Sequence, residues 1–128
     1  MFNRDGVTKM SLTGPRQILA NVELQAAVGC IVSKDLGVEV GARKIAKAGT
    51  PIIVDFGNLQ AVATAGTATG ESPTANAVLL HDVDVTTNNA NGTALYLGVV
   101  NINRLDTDVQ AKVEAGINKI GAVSFIKA

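Results

Sequence analysis

The sequence predicts a mainly β domain of the α+β kind, small and built of hairpins, with one or two short helices and an extended N-terminal arm. Three observations predict it. The chain has 128 residues but only three Phe, one Tyr and no Trp, so Val, Ile, Leu and Ala must do most of the burying. Together with 13 Gly, that β-branched richness favours strands joined by tight turns over a helix bundle. Apolar runs flank Gly57-Asn58 and Asn91-Gly92, dipeptides that suit tight turns because Gly and Asn tolerate positive φ. Residues 77–86 alternate apolar and polar in the period of a strand.

Residues 1–15, "MFNRDGVTKMSLTGP", are mixed and lack a clean period, which makes them the arm; 16–128 form one domain. "RQILANVELQ" at 16–25 reads two ways, as a short helix after Pro15 with Ile18, Leu19 and Val22 on one side, or as extended chain. Residues 27–32 read as a buried strand and "SKDLG" as a turn. "VEVGARKIAKAG" alternates weakly, as an exposed strand or loop with solvated Lys and Arg. "TPIIVDFGNLQAVAT" is a hairpin about Gly57-Asn58, and "AGTATGESPTANA" a loop of small residues. Residues 77–86 and 93–103 are the arms of a long hairpin turned by "NNANG". "RLDTDVQAKVEAGINKIG" is the best helix: Asp106 or Thr107 caps it, Val109 and Val113 share a face, and Gly116 ends it. "AVSFIKA" is the closing strand.

Composition excludes some functions. Eleven basic and eleven acidic residues cancel, no basic stripe is visible, and aromatics for stacking on bases are few, so nucleic acid is not an expected partner. Zero net charge lowers the barrier to self-association. The N-terminus shows no apolar signal-peptide core and no apolar run reaches spanning length, so neither secretion nor membrane insertion is expected, and the chain is read as soluble and made in a cytoplasm. Cys30, the single cysteine, sits in "AAVGCIV" and reads as a small buried hydrophobe rather than a reactive thiol.

The candidate chemistry centres on His81, the one histidine. In a continuous strand 77–86, His81 shares the apolar side with Leu79, Val83 and Val85, while Asp82 points the other way, which is poor geometry for a dyad. Its expected role is structural. A metal site would need further ligands, and there is no second His. Asp82 and Asp84 share the opposite face; they read as a weak cation site, as solubilising charges, or as pairing with a basic group on a partner. "NGT" at 91–93 matches a glycosylation acceptor, but the turn reading explains it. The glycines of "GNLQAVATAGTATG" lack the lysine and the strand–loop–helix setting of a phosphate cradle. Asp106, Asp108 and Glu114 suit a helix N-terminus. No nucleophile, base and oxyanion site combine, so neither enzymatic activity nor a cofactor is expected.

The second half has a recognisable order: a Pro-led hairpin, a small-residue loop, the long hairpin "AVLLHDVDVTTNNANGTALYLGVVNINRL", an acidic-capped helix and the terminal strand "GAVSFIKA". This order resembles the lambda-type head decoration proteins of tailed bacteriophages. The wording "KAGTPI", "AVLLHDVDVT" and "GVVNINRL" is similar to decoration proteins of siphophages. The resemblance covers about residues 44–128, and the segment before Lys44 departs from the compact lambda-type pattern. It implies a homotrimer on the outer surface of the virion, at three-fold and quasi-three-fold positions of the expanded head. The partner it implies is the major capsid protein, and the job is to cement the shell. It also implies an N-terminal arm that orders on the capsid, where Phe2, Val7, Met10 and Leu12 are the expected anchors. Two rival expectations are another virion component, such as a head fibre base or tail protein, and a host-surface binding module, which four aromatics disfavour. A third, an enzyme using His81, would lose activity in His81→Gln.

Overall fold

A computed structural model describes residues 17–20 and 23–128, except for the side chains of 117–119. It is mainly β, with two sheets and one short α-helix among the described residues. The strands are β1 (Gln25–Val32), β2 (Val38–Val40), β3 (Arg43–Ala46), β4 (Pro51–Ile53), β5 (Val62–Ala65), β6 (Ala77–Leu79), β7 (Val83–Asp84), β8 (Ala90–Asn101), β9 (Gly116–Ile120) and β10 (Ala122–Ile126); the helix is α1 (Thr107–Gln110).

The larger sheet runs β1-β5-β4-β6-β8-β10-β9, and β1 also pairs with β8. That extra pairing closes β1, β5, β4, β6 and β8 into a small barrel. β8 makes closure possible because it is long: its first part pairs with β1, from Ala90↔Val32 to Gly98↔Gln25, and its last part carries β10 in parallel, from Leu97↔Ala122 to Asn101↔Ile126. β1 and β5 are parallel, and the other neighbours in the barrel are antiparallel. The small sheet β2-β3-β7 brings Ala46, Val83 and Val85 against the barrel interior.

Two cores result. One fills the barrel with Cys30, Val32, Ile52, Ala63, Leu79 and Ala94 among others. The other lies outside it, under β10 and α1, around Phe125, Leu95, Val100, Ile102 and Val109. β6 and β8 stand between them, so Leu79 and Ala94 point into the first while Val78 and Leu95 point into the second. A central strand buried on both faces needs apolar residues in succession, which is why "AVLL" runs without a polar break.

Of the two readings of 16–25, the extended one holds at 17–20: Leu19 bridges Val100, and the Ala20 amide donates to Val99 O at 2.8 Å. Several other expectations are corrected. Residues 27–32 are not a wholly buried strand; Val28, Cys30 and Val32 face the barrel, while Ala27 and Gly29 are exposed. Gly57-Asn58 is not a two-residue turn but part of a longer link, with successive turns closed by Asn58 N to Asp55 O and Ala61 N to Asn58 O, both 3.0 Å. Asn91-Gly92 lies inside β8 and does not turn the chain. Residues 77–86 break at 80–82, where the chain leaves the barrel for the small sheet. The long helix is a single turn. Asp106 holds the N-cap position without a side-chain cap bond, and Gly116 opens β9 instead of ending the helix. Thr, Asp and Gly are weak helix formers, and Val113 is drawn out of the helix by a bridge to Ala68. The closing strand is present as β10.

Candidate functional site

The expected anchors Phe2, Val7, Met10 and Leu12 lie outside the described residues. What is described is the root from which that segment departs. Ile18 and Leu19 are 0% and 1% exposed and belong to the outer core. The Asn101 amide donates to Ile18 O at 2.9 Å, and Arg104 Nη1 donates to Leu19 O at 2.8 Å. Backbone pairing, a guanidinium and two buried aliphatic side chains thus fix one end of the segment to β8.

The groups singled out for chemistry are dispersed. His81 lies at the break between β6 and β7 and is half-buried; its Nδ1 is buried without a hydrogen-bond partner among the described residues. Burial pushes the His81 pKa below its ordinary value, and the nearby charge of Asp82 opposes that only in part. Asp82 Oδ1 accepts the Ala48 amide at 2.7 Å, which ties the crossover to the chain after β3. Asp84 takes the Thr86 hydroxyl and amide and pairs with Arg43 at 3.4 Å. Those hydrogen bonds, ahead of the Arg43 charge, hold its carboxyl below the usual range. The two aspartates therefore serve different local structures. The basic group that answers Asp84 is in the chain itself.

Lys47 is not solvated as the sequence suggested. Its ammonium lies 3.3 Å from Asp106 and 3.1 Å from Asp108, with the side chain 16% exposed. The Asp108 hydrogen bond, opposed by desolvation, raises the Lys47 pKa. Desolvation pushes Asp108 up, but the Lys47 hydrogen bond and charge, with backbone amides, outweigh it and leave the carboxyl low. Glu114 accepts the Gly70 amide at 3.1 Å. Cys30 is buried and its thiol is pushed up by burial, the condition of an inert packing residue. Among the described residues no three His, Cys, Asp or Glu side chains gather to hold a metal ion, and no helix is long and apolar enough to cross a membrane.

One surface feature was missed by the sequence reading. Among the described residues six large hydrophobics are well exposed: besides Val40, Ile53 lies in β4, Val62 in β5, Tyr96 in β8, Phe56 in the link after β4 and Leu24 just before β1. The outer core covers the barrel's outside at β6 and the later part of β8. Among the described residues it leaves bare the outside of β4, β5, β1 and the start of β8. There Ile31 pairs with both Val62 and Asn91, Gly29 with Thr93, and Ile53 with Thr64, so their outward side chains form one continuous wall without a charge. At the rim, Phe56 and Tyr96 meet edge to face with ring centroids 5.6 Å apart. The register between β1 and β8 slips opposite Tyr96, since Ala26 pairs with Leu97 and Ala27 with Leu95. That bulge re-aims the ring. The alternation in "AAVGCIV" already carried half of this signal, because it leaves Ala27, Gly29 and Ile31 on the side away from Val28, Cys30 and Val32. The bulge left none.

No protein-family model matches the chain, and a search of curated proteins finds no match.

Proposed function

We propose that the chain is a decoration protein of a tailed-bacteriophage head. It binds the major capsid protein at three-fold and quasi-three-fold sites as a homotrimer and stabilises the expanded shell, by binding alone and with no cofactor. Support comes from the resemblance over residues 44–128 and from the β-rich fold. The observation that carries the reading is the seating of Ile18 and Leu19 in the outer core, locked by Arg104. Sixteen residues precede Gln17 in the sequence. Extended, they span about 50 Å, enough to cross onto a neighbouring protein from a fixed starting point.

An extended segment binds by adding a strand to a sheet edge, with backbone hydrogen bonds supplying affinity and alternate side chains filling pockets. Phe2, Val7, Met10 and Leu12 are the side chains proposed for those pockets. Three segments on one trimer raise avidity without new contacts. Binding only the expanded shell stabilises that state by mass action. Synthesis in the host cytoplasm and final residence on the capsid exterior belong to the same proposal.

The test is co-sedimentation of the full chain, and of a form lacking residues 1–14, with expanded undecorated capsids of the source phage. Saturable binding near one copy per capsid subunit, lost on deletion while circular dichroism is unchanged, is the expected result. Equal decoration by both forms would refute the arm's role, and no binding by either would refute the capsid reading.

A further inference from the structure

We propose that Asn91 is a self-modification site gated by β8. When the start of β8 opens, the Gly92 nitrogen closes on the Asn91 side chain, and the strand that closes the barrel ends up carrying aspartate or isoaspartate. Of the ten asparagines in the chain, only Asn91 precedes a glycine. A glycine nitrogen is the least crowded backbone nucleophile, because no Cβ stands beside it. Packing demands that glycine: a Cβ at position 92 would stand 2.6 Å from Val32 Cγ2. The barrel therefore retains the residue that makes its own strand reactive. The Asn91 side chain is exposed, beside Ile31 on the uncharged wall.

The step needs only water. The Gly92 nitrogen, its proton taken by hydroxide, bonds to Asn91 Cγ, and the side-chain nitrogen leaves as ammonia. Water then opens the cyclic imide. Breaking the bond between Cγ and the Gly92 nitrogen gives aspartate. Breaking the bond between the Asn91 backbone carbonyl carbon and that nitrogen gives isoaspartate. Nothing is oxidised or reduced, and the formal net charge falls from zero to minus one.

The closed barrel holds the step back. Backbone groups of a strand point alternately to its two neighbours. Thr93 O accepts the Leu80 amide at 2.9 Å on the β6 side, so the Gly92 amide faces β1, opposite Cys30. Ring closure requires that this part of β8 leave β1, and the observed rate is the intrinsic rate times the open fraction. The two products differ in consequence. Aspartate puts a charge beside Ile31 on the wall. Isoaspartate adds a main-chain carbon, which shifts the alternation of the residues that follow. Gly92 and Ala94 face the barrel interior, so the barrel cannot reclose in its old register.

The experiment incubates the full chain in mildly alkaline buffer without urea, in urea below the unfolding transition, and in concentrated urea. The peptide spanning Asn91 is followed by mass and by chromatographic separation of its aspartate and isoaspartate forms. Conversion without urea is expected to be at least about tenfold slower than in concentrated urea, and to rise with urea below the transition. In the unfolded chain Asn91 should convert faster than Asn88 and Asn89, which lack a following glycine. Equal rates in the folded and unfolded chain would show that β8 does not gate the step. An Asn91 that converts no faster than Asn88 and Asn89 in concentrated urea would remove the site altogether. Asn91→Asp then separates charge from backbone length, since the substituted side chain is exposed. It should melt close to the wild type, whereas the isolated isoaspartate form should melt lower or fail to refold. An isoaspartate form that melts with Asn91→Asp overturns the register argument.

Discussion

Ala94 and Leu95 are adjacent in β8 and belong to different cores: Ala94 faces the barrel interior, and Leu95 the cluster under β10 and α1. Both are 0% exposed. One strand therefore couples the two halves of the domain. Leu95→Ala removes a fully buried side chain from the outer core and should cost about 2–5 kcal/mol. Ala94→Leu adds volume to a packed barrel and should cost about 1–3 kcal/mol. Urea unfolding checks both. Because the cores share β8, each variant should lower the midpoint of a single transition, and a second transition appearing in either would show that the cores unfold separately.

Gly92 is held by space. It faces the barrel from within β8, and a Cβ there would stand 2.6 Å from Val32 Cγ2 and 3.0 Å from Val83 Cγ2. Gly92→Ala should therefore destabilise by about 1–3 kcal/mol, as overpacking does, where a turn glycine at positive φ would lose stability through backbone strain instead. The discriminating measurement is Gly92→Ala combined with Val32→Ala. Relief of part of the loss in the double variant is expected, and additivity would sink the packing account.

That glycine also marks the boundary of what the sequence disclosed. Strand content, the closing strand and the buried Cys30 were legible, because alternation and apolar runs report burial directly. Asn91-Gly92 was misread because a glycine required by a turn and one required by close packing look alike in a sequence. The long helix was misread because Val109 and Val113 fit helical spacing, while the competing partners, Ala68 for Val113 and β10 for the "GINKI" strand, are distant in the chain. The wall was half legible in β1. The rest depended on which strands the outer core covers, a question of topology. The anchors in the N-terminal arm lie outside the described residues and rest on scattered apolar positions and on the resemblance.

Lys47 joins the link after β3 to the entry of α1 through Asp106 and Asp108. Ion pairs near the surface contribute little individually, and a double-mutant cycle on Lys47→Met and Asp108→Asn should return about 0.5–1 kcal/mol of coupling. The Lys47 pKa is raised on folding, so its contribution is complete below the ordinary value of 10.5 and is lost as pH rises through the folded value. Asp108 is lowered, so its share is complete above 3.8 and fades as pH falls through the folded value. Coupling should shrink in about 1 M salt, where screening acts within about 3 Å. Coupling that is unchanged in high salt would place the stabilisation in packing.

His81 supplies the remaining pH dependence. Its Nδ1 is buried without a partner among the described residues, and desolvation depresses its pKa below the ordinary 6.5. The unfolded chain therefore binds the proton more readily than the folded one. Stability linked to His81 is complete above pH 6.5 and declines as pH falls below it toward the folded value. Between about pH 7 and 5.5, above the range in which ordinary carboxylates titrate, the wild type should lose urea stability with a slope that His81→Gln removes. The result expected at neutral pH is a small change in midpoint for His81→Gln, since a neutral polar side chain replaces a neutral imidazole. A wild-type slope that survives in His81→Gln would assign the acid sensitivity to another group. A midpoint that rises as pH falls through 6.5 would show that the folded state holds the imidazolium, with a partner for Nδ1.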